Sequence, residues 1–580
     1  MNDGTISPGV TRSGKPVTIR FGDRSIVTIA GQSVLAALVE AGEKAFRTTA
    51  RGEQRGMFCG MGVCQECLVD IDGQGNQRAC MTTVHEGLTV NYLTARPEPV
   101  AANAAPEWTD IAADVLVIGG GPAGLSAASV AAEAGLDVVL VDERSKLGGQ
   151  FYKQPADGFS IDESRIDGQF VRGRALIARA KKAGVRILQG MTVWATFGAE
   201  EIVAGNATEA VVIHPKRLVL ATGAYERGVP LPGWTLPGFM TTGAAQTLLR
   251  SYQIPPGKRV IIAGNGPLNL QVAAELVRAG VKVVALVEAA RAPGLASVTS
   301  VATMAMAAPD LVRDGVAYQW ELRRAGTPTF HQHVVVRAEG AVSVERAVIA
   351  RIDGYGLPVA GTERSFDVDA VCVGFGFLPS NEIARTLGCR HRFDERRGHL
   401  VADRDESGRS SVANVWIVGD SAGLGGARVA QAGGILAGVD TAASMGKPLP
   451  ASAEAKTAMR TKVRSERFQE ALWRLFSAPR LVDQLAHPDT IVCRCEEVSL
   501  AAIEAGLDDE IATAGALKRT TRAGMGRCQG RYCGSIAVEL VARRRNSAVD
   551  EFSYFAPRVP FRPLPVSAIA SEDESRLRQT

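Results

Sequence analysis

Ten cysteines stand in the 580-residue chain, and eight of them fall into two tight groups, Cys59/Cys64/Cys67/Cys80 and Cys493/Cys495/Cys528/Cys533. The first reads C-x4-C-x2-C-x12-C, with two glycines inside the stretch CGMGVCQEC. Three thiolates on one such loop and a fourth further along can wrap two irons, and x4/x2 is a [2Fe–2S] ligand spacing. Structural zinc more often takes two separated pairs of ligands, so the cluster is the better reading. The second group is C-R-C, thirty-two residues, then C-Q-G-R-Y-C. Two close pairs can enclose a metal centre, but this spacing leaves zinc and iron–sulfur both open. Cys372 and Cys389 stand alone in apolar stretches, where a thiol serves as a small core residue.

A different chemistry is written in glycine. Gly119-Gly120-Gly121-Pro122-Ala123-Gly124 fits G-x-G-x-x-G between an apolar strand and a helix. In this motif Gly119 permits the tight turn, Gly121 lets backbone approach a pyrophosphate, and Gly124 lets helix and strand pack closely. The free N–H groups at the helix start then favour phosphate. The next strand ends in Asp142-Glu143, about twenty residues on, where a carboxylate can hold ribose hydroxyls. The added Gly148-Gly149-Gln150, Ala221-Thr222-Gly223 and Gly419-Asp420 favour FAD over a simple dehydrogenase cofactor. A second turn, Gly264-Asn265-Gly266-Pro267-Leu268-Asn269, has asparagine in place of the third glycine. Close helix–strand packing is therefore in question there, although its strand ends in an acid, Glu288, as NAD sites do. Nucleotide binding and a retained structural domain both stay open for this second unit.

Other classes are excluded or weak. With 65 Lys+Arg against 61 Asp+Glu the formal charge is +4, unlike a nucleic-acid binder with a concentrated basic face. Arg543-Arg544-Arg545 reads as a solvated helix end. No apolar run is long enough to span a membrane, and the first residues lack the apolar segment of a secretory signal. The expected location is cytoplasmic and reducing, where clustered cysteines hold metal more often than they form disulfides. His331 and His333 lack a third ligand nearby, and the seven histidines form no triad-like arrangement. The one C-x2-C, Cys64 to Cys67, belongs to the cluster loop, which argues against disulfide reduction. No catalytic acid–base constellation is expected.

These residues need scaffolds. Residues 17–29, VTIRFGDRSIVTI, predict two strands about a Gly22-Asp23 turn, and Ser33 a helix cap. The Ala- and Pro-rich stretch from 95 reads as a linker. Residues 113–143 and 259–288 both read strand, glycine turn, helix, strand, which suggests tandem nucleotide-binding domains, the second inserted into the first. In the helical stretch 451–485, Phe468, Ala471, Leu472, Leu475 and Phe476 make one apolar face suited to core packing. The proline-containing tail reads as a strap over another surface.

On these motifs residues 113–450 resemble two-dinucleotide-domain flavoproteins. LATGAYERGVPLPGWTLPGFMTTGAAQ (220–246) resembles the A-type subunits of bacterial opine oxidases. It is also similar to hydrogen cyanide synthase, heterotetrameric sarcosine oxidase, and hydroxyproline and proline dehydrogenase subunits. Residues 493–533 resemble the bacterioferritin-associated-ferredoxin-like domains of that family, and 17–95 the small ferredoxin-like subunit that several of these systems carry separately. The implied fold class is α/β. Two Rossmann-like domains of the glutathione-reductase type follow a β-grasp ferredoxin-like domain and precede a small helical [2Fe–2S] domain. The implied boundaries are 1–95 ferredoxin-like, 96–112 linker, 113–250 and 366–450 FAD-binding, 251–365 inserted dinucleotide-binding, 451–485 helical connector, 486–545 second cluster domain and 546–580 tail.

The resemblance further implies a cluster on each cysteine set, FAD on Gly119, Gly121, Gly124 and Glu143 with Asp142 as the fallback, and Asp420 at the ribityl chain. Gly149, Gln150, Thr222 and Gly223 complete that site, and Gly264, Gly266 and Glu288 a second one. NAD or ATP can replace FAD in related complexes, and FMN can sit between subunits. A separate glycine-oxidase-like FAD subunit oxidises the substrate, so a hetero-oligomer is expected, cytoplasmic or peripheral to the inner membrane, feeding an acceptor such as a quinone chain. The alternative is a self-contained NAD(P)H-dependent flavin/iron–sulfur reductase.

Overall fold

The structure, a computed structural model, describes residues 7–94, 106–447, 452–507 and 513–564. Its first unit is a five-stranded sheet ordered Arg24–Ile29, Pro16–Phe21, Thr89–Tyr92, Leu68–Ile71, Gln74–Arg78. Alternation in Pro16–Phe21 turns Val17, Ile19 and Phe21 inward, and Gly22, at φ +56°, closes the expected turn. The helix Val34–Glu40 begins where Ser33 accepts the Ala36 N–H and lays Val34, Leu35 and Leu38 on that sheet. Val10–Arg12 pairs instead with Phe159–Ile161, so the ferredoxin-like unit starts after it, not at residue 1.

The first nucleotide-binding unit is a seven-stranded sheet. Val138–Asp142 and Glu209–Leu220 flank Glu107–Ile118 in parallel, and Val415–Ile417 returns to pair with Leu218–Leu220. Residues 107–112, expected as linker, are therefore strand. Their composition gives little warning because what holds them lies elsewhere, in the register with 209–214 and the Trp108–Trp194 contact at 6.4 Å.

The second unit is a five-stranded parallel sheet ordered Phe239–Thr241, Ala370–Gly374, Arg259–Gly264, Lys282–Glu288, Thr329–His331. It thus reaches from 239 to 374, wider than the expected 251–365. Phe239–Thr241 is only three residues long, and its pairing with Val371–Val373 joins segments remote in the chain, so no local pattern announces it. Ala224–Glu226 and Phe377–Pro379 form an antiparallel pair where the chain passes between the units.

The helix Ser452–Leu475 ends ten residues before the expected connector boundary at 485. Its Phe468 and Ala471 pack on Met304, Ala307 and Ala308 as the expected core face, while Leu472 and Phe476 of the same stretch are half-buried and line the cavity described below. The last unit pairs Ile491–Cys493 with Val498–Ser499 and adds helices Leu500–Ala505, Ala514–Thr521 and Gly534–Arg545. The tail behaves as a strap up to residue 564: Phe561 is buried in the core of the first nucleotide-binding unit, and its N–H donates to Trp194 O (3.0 Å). Cys372 and Cys389 are buried as expected. Among the described residues no helix is long and apolar enough to cross a membrane.

Candidate functional site: a nucleotide cavity beside two cysteine sets

The first glycine turn is sterically obligatory. A Cβ on Gly119, which has φ +110°, would stand 2.3 Å from Ala221 O, and one on Gly124 would stand 1.8 Å from Gly119 O. Gly121 differs, for its nearest neighbour would be Gly149 Cα at 3.8 Å, so the space there is left for a ligand. The helix Pro122–Glu133 opens with proline and no side-chain cap, leaving its first N–H groups for an anion. Gly121, Gly149, Gln150, Gly223 and Asp420 line one cavity of ≈ 480 Å³. Asp420 accepts the N–H groups of Gly425 (2.9 Å) and Gly426 (3.0 Å), and burial raises its pKa. Thr222, also on the cavity wall, donates its hydroxyl to Ser380 O (2.6 Å).

The two acids after the second strand have different duties. Asp142 accepts the N–H groups of Gly120 (2.6 Å) and Arg144 (2.8 Å); it braces the turn, and burial pushes its pKa up to about 6. Glu143 also lines the cavity. Burial opposes its charge, but Arg562, Arg78 and Arg144 hold it below the usual carboxylate range. It is therefore the charged acceptor available to a ribose.

The second turn lines the same cavity through Asn265, Gly266, Pro267, Leu268 and Gln271. A Cβ on Gly264 would stand 2.0 Å from Gly374 O. Asn269, where a third glycine was expected, is buried; its Nδ2 donates to Gly374 O (2.8 Å) and its Oδ1 accepts from Thr242 Oγ1 (2.8 Å). The side chain thus ties its helix to the neighbouring strand Ala370–Gly374 and to the helix Thr242–Tyr252. Glu288 accepts the N–H groups of Gly266 (3.1 Å) and Ala290 (2.9 Å), and burial raises it to about 7. It matches Asp142 in bracing, but Ala289 follows it, so this turn has no counterpart of Glu143.

Sequence reasoning missed part of the cavity wall. Lys153, three residues after Gln150, is 4% exposed and lines the cavity with Glu226 and Gln246. Its Nζ donates to Gln150 O (2.6 Å) and Gln246 Oε1 (3.0 Å). Burial and the charge of Arg144 lower its pKa to about 7, against the attraction of Glu226. Arg531 and Arg562 also reach the wall. A lysine so close behind a glycine turn was the one available signal; the arginines come from another unit and the tail, which no local pattern connects to the cavity.

The cysteines of each set lie together in the folded chain. Cys59 and Cys64 are in contact, with Cys64 N–H 3.3 Å from Cys59 Sγ, and Cys67 meets Cys80. Gly60 and Gly62, at φ +59° and +78°, curl the loop, and N–H groups of Met61, Val63 and Cys64 point at Cys59, the donor pattern that suits a thiolate. Two thiol pairs would suit a binuclear cluster with two thiolates on each iron. In the second set Cys493 meets Cys495 and Cys533, and Cys495 lies 3.5 Å from Cys528. A Cβ on Gly526 would stand 2.5 Å from Cys495 Sγ, so that glycine makes room for the sulfur. His331 and His333 only share a hydrogen bond, through His331 O (2.7 Å).

Two dinucleotide-binding sheets around one cavity, with cysteine units on either side in sequence, define a flavin-dependent oxidoreductase with an iron–sulfur module. Residues 113–446 match the pyridine nucleotide-disulphide oxidoreductase family, 14–94 a 2Fe-2S iron-sulfur cluster binding domain and 488–573 the sarcosine oxidase A3 domain. The chain is 31% identical to the A-type subunit of opine oxidase from Rhizobium meliloti (strain 1021), over 79% of this chain and 98% of that one. To the HcnB subunit of hydrogen cyanide synthase from Pseudomonas aeruginosa it is 32% identical, over 78% and 97%. The L-proline dehydrogenase from P. horikoshii shares the fold with a TM-score of 0.70 at 22% identity, over 96% of this chain and 98% of that one. The chain belongs to the pyridine nucleotide-disulphide oxidoreductase family, in the branch that holds these opine oxidase and hydrogen cyanide synthase subunits.

Proposed function

We propose that this chain is the electron-handling subunit of a multi-subunit dehydrogenase acting on the C–N bond of an opine, N-alkyl amino acid or imino acid. One observation carries the reading. Met61 and Val63 of the first cysteine loop, and Arg531 between Cys528 and Cys533, line the same cavity as Gly119 and Gly121. A flavin held there supplies the conversion of a two-electron event into the single-electron steps an iron–sulfur centre accepts. The chain's own residues position it: Gly121 and the following helix start receive the pyrophosphate, Glu143 the ribose, and Asp420 the ribityl chain. Each cysteine set holds one [2Fe–2S] cluster. The substrate is oxidised on a separate glycine-oxidase-like FAD subunit, and electrons leave towards an acceptor such as a quinone chain.

Anaerobic preparation with iron and acid-labile sulfide analysis is the first test. About four irons and four sulfides per chain are expected for two [2Fe–2S] clusters, and fewer than three irons contradicts the reading. Co-purification with a glycine-oxidase-like flavoprotein identifies the partner. A second reading, an NADH-fed reductase, draws on the second turn sharing the cavity. Glu288 occupied with backbone N–H groups argues against it, and NADH should leave the bound flavin of the isolated chain unbleached.

A further inference from the structure

Residues beside the cysteines of one set touch residues beside the cysteines of the other. Arg494 lies between Cys493 and Cys495. Its guanidinium sits 4.0 Å from the ring centroid of Phe58, the neighbour of Cys59, and 4.7 Å from that of Trp234. Its Nε stands 3.4 Å from Oε1 of Glu66, the neighbour of Cys67, and its Nη1 donates to Trp234 O (2.6 Å). Tyr532, the neighbour of Cys533, meets Phe58 edge to face at 5.2 Å. Phe58, Glu66, Arg494 and Tyr532 are all buried. A single layer of side chains therefore separates the two sets.

The charges in this layer are unusual for a plain domain contact. Arg47 and Arg494 both reach Glu66, at 3.1 and 3.4 Å, and Arg55 pairs with Glu497 at 3.2 Å. Buried ion pairs add little stability over an apolar contact of the same size, so packing alone gives no reason for three guanidiniums against two carboxylates. Two four-thiolate sites supply the reason, because thiolates clustered in a low-dielectric interior need a fixed cation nearby.

We infer that the two cysteine sets form one paired site, with Arg494 the positioning residue whose cation both share. This rests on each set holding an iron–sulfur cluster, as proposed above. Clusters held by the two sets would be placed to pass a single electron from one to the other, one oxidised as the other is reduced, with no proton moved. A spin on one set also senses a spin on the other.

The test uses the full chain, loaded anaerobically and chemically reduced, with iron and sulfide measured first. Fewer than about three irons per chain would fault the cluster reading and not the pairing. With the iron in place, electron paramagnetic resonance at two microwave frequencies should show a splitting that stays constant in field units, the sign of interacting spins. A spectrum that scales wholly with frequency, as two independent clusters give, overturns the inference. In potentiometry, Arg494→Met should move both midpoints to lower potential with iron content unchanged, and Arg494→Lys should restore part of the shift. Movement of one midpoint alone, or of neither, counts against a shared cation. If Arg494→Met fails to fold, the two-frequency measurement on the unaltered chain still decides.

Discussion

At the scale of residues, the cavity divides labour between adjacent acids, and substitution should separate the two roles. Glu143→Gln removes the one charged ribose acceptor without touching the turn. Hydrogen bonds to charged groups contribute about 1.5–3 kcal/mol, so FAD affinity measured by fluorescence should fall roughly tenfold or more, with only a small drop in the melting temperature of the flavin-free chain. Asp142→Asn should instead lower the melting temperature, because its two oxygens brace Gly120 and Arg144. Glu288 makes a pH prediction. Its folded pKa, about 7, lies above the unfolded value, so its stabilising share is complete below about pH 4 and is lost as pH rises through 7. A shift of this size corresponds to about 3 kcal/mol at most. Glu288→Gln removes the dependence, and thermal melts from pH 5 to 8 should move in the variant's favour as pH rises. Lys153 carries the opposite sign. Below about pH 7 it is a buried ammonium held by neutral oxygens, unfavourable for the empty protein and favourable for an anionic ligand. Lys153→Met should raise the melting temperature of the flavin-free chain yet weaken FAD binding, and it should flatten the loss of affinity between pH 6 and 8.

At the scale of elements, what was legible in the sequence is what neighbouring residues determine. Gly119, Gly121 and Gly124 spell out a strand, a turn and a helix start, and steric contacts demand glycine at Gly119 and Gly124. Ser33 caps its helix as expected, since a cap is decided within four residues. The misplaced boundaries have the opposite character. Phe239–Thr241 and Glu107–Ala112 become strand only through partners far along the chain, and residues that show no alternation alone still complete a ladder. Asn269 is instructive in between. A missing glycine read as a flaw, but its amide reaches Gly374 and Thr242, on other elements. Asn269→Gly should therefore not improve the second turn. It removes two buried hydrogen bonds, each worth roughly 0.5–1.5 kcal/mol net, and leaves a void between helix and strand, so denaturant melts should show a loss of about 1–3 kcal/mol.

At the scale of the whole molecule, the cavity is built from parts that lie far apart in sequence. The first cysteine loop gives Met61 and Val63, the last unit gives Arg531, and the tail gives Phe561 and Arg562. Composition and motifs identify each part but not their convergence, because each long-range contact is fixed by packing that only the folded chain possesses. The tail shows the consequence most directly. Phe561 is buried in the core of the first nucleotide-binding unit, which draws Arg562 to 3.9 Å from Glu143. Two effects on FAD then compete at that acid. Arg562 keeps Glu143 ionised, which favours the ribose contact, but it also occupies part of the carboxylate's coordination. The long separation and the partial burial of Glu143 make the first effect larger: at 3.9 Å the guanidinium supplies charge more than a hydrogen bond, and charge counts for more where water is partly excluded. Arg562→Met should accordingly weaken FAD binding, and the weakening should grow as pH falls, because Glu143 without this guanidinium protonates more readily. Phe561→Ala should reproduce this loss of affinity by releasing the strap, with an added fall in melting temperature. Equilibrium fluorescence titrations of both variants across pH 5 to 8 decide the matter. Affinity unchanged in Arg562→Met would mean that the strap closes the cavity without setting its charge.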